Sequence, residues 1–190
     1  MRRRGDAGFG MLEVVVAIGI VCVTMAGLTL FLVRTTADAA MQADRQTATQ
    51  LAVAASERVA LLPGAAVLDG RTRSAVEGQW HAPGVDAYLD RTKLAWQEGV
   101  VAATAALPTT REPAPIHGAP SRFDRSFYVG VCWQPAAGGD CGVPATTAGL
   151  VPMYRVVIAV TWSSDRCAAS LCSFVTAMLT SYEVADPTFG

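Results

Sequence analysis

Lysine is almost missing from this chain of 190 residues: of fifteen basic residues only Lys93 is a lysine, and there are two histidines. That scarcity reads as base composition rather than function. Surplus charge of one sign is missing as well. The formal net charge is −1, so no basic field marks a nucleic-acid surface, and none is evident as a partner. The chain has no glycine-rich phosphate loop, no HExxH and no GxSxG. Ser163, Ser164 and Asp165 have no histidine near them in sequence, which leaves no nucleophile system to build on. His81 and His117 flank no metal or nucleophile constellation and read as surface residues. The five cysteines show no CxxC spacing, which argues against zinc. No catalytic residue, metal ligand or cofactor is therefore assigned, and the chain reads as something other than an enzyme. No repeat is apparent, and the length suits one globular domain with an accessory element.

Charge is absent most conspicuously near the N-terminus. Between Phe9 and Val33 only Glu13 is charged, and the next charge is Arg34. As a helix the stretch is roughly 37 Å long, against about 30 Å of hydrocarbon in a bilayer. Arg2, Arg3 and Arg4 precede it, and the positive-inside rule keeps them in the cytoplasm with the remainder outside. Three ordinary readings compete. A cleaved secretory signal could end near Ala37, Asp38 and Ala39, but the apolar run exceeds the usual length of about 7–15 residues and contains Glu13. A lipoprotein signal at Cys22 fails because Ile20 and Val21 are bulky where small residues are needed. A plain membrane anchor leaves Glu13 unexplained, although a carboxylate inside a spanning helix costs about 3 kcal/mol on insertion scales.

Arginines, Gly8, Phe9, three small or apolar residues, Glu13 and then an unbroken apolar helix: this order resembles the class III signal of type IV prepilins and type II secretion pseudopilins. The resemblance covers about the first quarter of the chain. It implies a leader at 1–8, removed by a prepilin peptidase that cuts after Gly8 and methylates the new N-terminus, Phe9. It implies that Glu13, fifth in the mature chain, serves assembly by pairing with the Phe9 amine of a neighbouring subunit. The implied partners are that peptidase, other pilin or pseudopilin subunits and the cytoplasmic membrane. The implied location is a single pass with the N-terminus inside and the C-terminal domain outside, later drawn into an extracytoplasmic filament. Gly10 and Met11 depart from the commoner threonine and leucine. No helix-breaking proline stands at Leu30, so Gly19 and Gly27 are the only intrinsic weak points, each costing about 1 kcal/mol relative to alanine.

The helix is expected to outlast the membrane half, 9–33. Over 34–62, Met41, Ala48, Leu51, Ala52, Ala55, Val59 and Leu62 recur at three- and four-residue intervals as one apolar stripe, and Pro63-Gly64 ends it. Residues 65–190 then form an extracytoplasmic globular domain of pilin-like type. Its first part, 65–120, resists assignment, apart from "LPTTREPAPIHGAP", which reads as an exposed loop. "RSFYVGVCWQP", "MYRVVIAVTW" and "SFVTAMLTSYEV" read as antiparallel strands, the last two as a hairpin, with Tyr154, Val156, Ile158, Val160 and Trp162 on one face. Four cysteines allow three pairings, and their grouping favours Cys132 with Cys141 and Cys167 with Cys172. Free buried thiols in a reducing compartment are the alternative. The expected fold is α+β, a long N-terminal helix packed on a small C-terminal antiparallel sheet. Two other functions stay open: a membrane-anchored enzyme, which needs a convergent polar cluster, and a pilus-tip adhesin or DNA-uptake receptor, which needs an exposed basic or aromatic patch around 71–96.

Overall fold

The structure, a computed structural model, describes residues 10–82, 85–99, 104–116 and 118–182. Two compact units meet between Arg45 and Gln46, and helix α1, Met11–Ala60, contributes to both. In the first unit every residue over 11–33 is exposed. Apolar side chains there have no protein partner. By length and composition α1 is sufficient to cross a membrane. Gly19 and Gly27 lie inside the helix with open space where a Cβ would stand, so neither serves a close contact within the chain.

The second unit has an α+β fold in which the last turns of α1 pack on a five-stranded antiparallel sheet. Ala48, Ala52, Ala55 and Val59 are fully buried, and Leu51 and Leu62 pack beside them. The small alanines bring the helix backbone close to the strands. The helix ends at Ala60, two residues short of the expected 62, because Leu62 N–H bonds the carbonyl of Val59 in a tighter turn ahead of Pro63.

The strands are β1 (Lys93–Leu94), β2 (Glu112–Pro113), β3 (Phe123–Pro135), β4 (Leu150–Ser163) and β5 (Leu171–Ser181). Their order is β1-β3-β4-β5, with β2 also on β3. The five alternate residues expected on one face of β4, Tyr154 through Trp162, all lie in the core beneath α1, with Phe123, Phe127 and Val129 of β3. Their neighbours are also covered. Tyr128, Val157 and Ala159 pack on the opposite face against Val76 and Trp80 of helix α2 (Arg73–Trp80). The middle of β3–β4 is therefore buried on both sides, which explains its near-continuous apolar sequence. Thr72 caps α2, its hydroxyl accepting from Ala75 N–H at 3.3 Å.

The proline-rich stretch is not simply an exposed loop. Leu107 and Ala114 are fully buried, and Ala114 N–H donates to the Phe123 carbonyl at 2.8 Å. Pro113 lacks an N–H but sits on a two-residue edge strand, where the loss is tolerated. Glu112 in that strand accepts from Arg125 of β3 (Nε, 2.9 Å) and from Arg58 of α1 (3.3 Å), fastening helix, edge and sheet. Two glycines permit close approaches. A Cβ on Gly130 would lie 2.5 Å from the Lys93 carbonyl, and one on Gly70, at φ +72°, 2.5 Å from the Ala105 backbone.

Candidate functional site

Helix α1 begins at Met11, two residues before Glu13. Glu13 N–H bonds the Gly10 carbonyl at 2.9 Å, and the carboxylate stands in the first turn, where the amide ends of the helix favour a negative charge. Gly8 and Phe9, the residues of the expected cleavage bond, lie outside the described residues, as does the leader before them.

The other polar groups of the apolar segment are satisfied within it. Thr24 donates its hydroxyl to the carbonyls of Ile20 (3.0 Å) and Val21 (2.9 Å). Thr29 does the same to Met25 at 2.8 Å. A hydroxyl bonded back to its own helix needs no water and suits hydrocarbon. Cys22 is a free, exposed thiol and behaves there as a small apolar group. Glu13 differs from them all: exposed, charged, and without an ion-pair partner among the described residues. Its role as an assembly residue is taken up below.

In the globular unit Cys132 is bonded to Cys141 (Cα–Cα 5.4 Å) and Cys167 to Cys172 (Cα–Cα 5.2 Å). The first bond closes the turn that follows β3, where Trp133 also bridges Gly142 through a 2.8 Å backbone bond. The second staples the β4–β5 connection. Loops of this size stabilise by roughly 2–3 kcal/mol in the chain-entropy model.

Sequence reasoning missed Arg71. Its side chain is fully buried and donates to the carbonyls of Leu107 (2.6 Å) and Phe127 (3.3 Å) and to Gln79 Oε1 (2.9 Å). None of these partners is charged. Burial lowers its pKa to about 10. No periodicity marks an arginine for the interior, and only its tertiary neighbours reveal it as a clip joining α2, β3 and the 104–108 segment.

A shallow groove of about 630 Å³ has an aromatic lining that includes Trp96, Trp133, Tyr154 and Tyr182. The two tyrosine rings stack at 4.8 Å, and burial followed by the Tyr182 neighbour pushes the Tyr154 hydroxyl up to about 12. Two of the polar side chains here are engaged with each other. Gln97 accepts from Gly70 N–H at 2.7 Å and donates to Asp69 at 3.3 Å. In the 71–96 region the three arginines are all committed, and Lys93 is exposed. Arg71 is buried, Arg73 pairs with Glu77 and lies over Trp96, and Arg91 pairs with Asp140. His81 is an exposed residue capping α2, and His117 lies outside the described residues. Among the described residues no cluster of three or more His, Cys, Asp or Glu is placed to hold a metal.

Compared with known proteins, the chain is matched by no family model, by no curated protein and by no solved structure.

Proposed function

We propose that this chain is a structural subunit, a minor pilin or pseudopilin, of a type IV pilus or type II secretion-like filament. One observation carries the reading. In an apolar segment whose threonines are bonded internally, Glu13 alone is left charged and, among the described residues, unpaired, four residues after the phenylalanine of a glycine–phenylalanine bond. Cleavage at that bond frees an amine on Phe9. In the bundled helices of a filament, that amine and the Glu13 carboxylate of the next subunit neutralise each other in a medium where either alone costs several kcal/mol. The pairing sets the axial register. The helix-and-sheet fold of the second unit supports the reading, since it supplies a globular head for a helical stem. The chain waits in the cytoplasmic membrane with its head outside and is then extracted into the filament. It performs no catalysis of its own.

The test is processing followed by assembly. Mass spectrometry of membrane-extracted protein should find N-methylated Phe9 as the first residue, and Gly8→Val should retain the longer form. Glu13→Ala and Glu13→Gln should be cleaved and membrane-resident yet missing from sheared filaments. A soluble form beginning near Ala40 would replace the proposal with an ordinary secretory signal. Wild-type incorporation of both Glu13 variants would reduce α1 to a plain anchor.

A further inference from the structure

The two disulfides are held in place by different means. Cys132 and Cys141 are both buried, and beside them Trp133 and Gly142 exchange backbone bonds of 2.8 and 3.0 Å. That turn has a second closure besides the covalent one. Cys167 and Cys172 stand only 5 positions apart, in the connection from β4 to β5. Cys172 is 3 % exposed, but Cys167 is half-buried, and Asp165, Arg166, Ala168, Ala169 and Ser170 around it are exposed.

The backbone inside the second loop is unfavourable by itself. Ala169 and Ser170 hold φ of 52° and 56°, and among the described residues no other two consecutive non-glycine residues share the left-handed region. A Cβ there crowds the following carbonyl, and neither exposed side chain gains burial in return. Three backbone bonds act against that strain. Ser164 N–H donates to the Ser170 carbonyl (3.1 Å), Cys167 N–H to that of Ser164 (3.3 Å) and Ser170 N–H to that of Cys167 (3.0 Å). All three join residues of the same short loop, so water can replace them when the loop opens. The covalent bond is what holds this conformation. Bonds that are exposed or that close a strained loop are the ones thiols reduce most readily.

We propose that Cys167–Cys172 is a reducible latch on the β4–β5 connection, opened by an external dithiol while Cys132–Cys141 stays closed. One thiolate of the dithiol attacks Cys167 Sγ, the S–S bond breaks, and Cys172 leaves as a thiolate that takes up a proton. The second thiolate then attacks the dithiol's own sulfur in the mixed disulfide, and Cys167 is released and protonated. Two electrons and two protons pass to the chain, and the dithiol departs as a cyclic disulfide. Ala169 and Ser170 are then free to return to right-handed or extended backbone. The start of β5 loosens with them, because Cys167 and Cys172 pack in the core with Trp162, and Cys172 is the partner of Trp162 across the sheet. The β3–β4 pairing, unbroken from Phe123↔Trp162 to Pro135↔Leu150, stays closed. The latch needs only the bond and its reductant and does not rest on the filament reading.

The experiment places the full chain in detergent micelles, without denaturant, in mixtures of reduced and oxidised dithiothreitol. Free thiols are alkylated with one label and the remainder, after unfolding and full reduction, with a second, and mass spectrometry reads each pair. Cys167 and Cys172 should open at a reduced-to-oxidised ratio about tenfold or more below that needed for Cys132 and Cys141. At that ratio hydrogen exchange over 164–174 should quicken about tenfold, while 123–135 is unchanged. Ala169→Gly combined with Ser170→Gly relieves the left-handed strain without changing the sulfurs, so half-opening should need a mixture about tenfold more reducing. Cys167→Ala combined with Cys172→Ala should show the quickened exchange over 164–174 with no dithiol present, and its far-ultraviolet circular dichroism should match wild type. Opening of both bonds together would mean that global unfolding exposes them and would overturn the proposal. So would earlier opening of Cys132–Cys141, unaltered exchange over 164–174 after reduction, or half-opening of the glycine variant at the wild-type ratio. None of these readouts depends on cleavage at Gly8, so a failure here is separable from a failure of the filament reading.

Discussion

Replacing Arg71 by methionine tests the reasoning about the buried cation most sharply. Holding the guanidinium charged inside the fold is unfavourable: a pKa lowered by burial to about 10 corresponds to about 3 kcal/mol of lost solvation. The bonds it donates must return more than that, because the side chain is found buried and not folded out to solvent. Methionine fills similar space and removes the solvation cost, but it strands the carbonyls of Leu107 and Pro108 and the Oε1 of Gln79. Phe127 keeps a partner in Gln79 Nε2 at 2.8 Å. Three stranded acceptors at about 2 kcal/mol each, set against the roughly 3 kcal/mol of solvation regained, give a net destabilisation of about 3 kcal/mol. Urea unfolding of the full chain in mild detergent, followed by tryptophan fluorescence, reads this directly, since Trp80 and Trp162 sit in the two cores. The pH dependence has a definite sign. The folded value lies below the unfolded one, so above about pH 10 the unfolded chain binds more protons and Arg71's contribution to stability rises with pH. Below about 10 both states are charged, and Arg71 adds no pH dependence. A methionine variant as stable as wild type, or more stable, would refute the idea that carbonyl bonding outweighs the buried charge.

Gly130→Ala should destabilise by about 1–3 kcal/mol in the same assay, because its Cβ meets the Lys93 backbone and Trp80 stands 3.1 Å away. Ala169→Gly should stabilise by roughly 1 kcal/mol, since Ala169 and Ser170 hold φ of 52° and 56° in the connection to β5, where glycine is unstrained. Non-reducing peptide mapping of exported protein should recover Cys132 with Cys141 and Cys167 with Cys172, with Cys22 free. Joint replacement of Cys132 and Cys141 by alanine should cost about 2–3 kcal/mol, while Cys22→Ala should be silent. Crossed pairs, or an unchanged unfolding midpoint in the Cys132/Cys141 variant, would count against these assignments.

Local rules carried the sequence reading furthest where one residue's neighbours along the chain decide its state. The apolar helix, its alanine stripe at Ala48, Ala52, Ala55 and Val59, and the inward face of β4 all follow from spacing, because a 3.6-residue or 2-residue period maps chain position onto one side of an element. The unusual position of Glu13 was visible for the same reason. What escaped were features that depend on distant segments meeting. Arg71 is interior only because the carbonyls of Leu107 and Phe127, far along the chain, arrive to accept from it. Helix α2 carries two buried apolar residues, too few for a periodic signal, and its place is decided by the second face of β3–β4. Ala114 is buried although prolines flank it, since pairing with β3 turns that edge inward. β5 reads as a strand from its residues, but whether a strand lies inside a sheet or at its rim is settled by which partners the rest of the chain provides. Among the described residues it provides one, β4, because sheet order is a property of the tertiary arrangement and of no single segment.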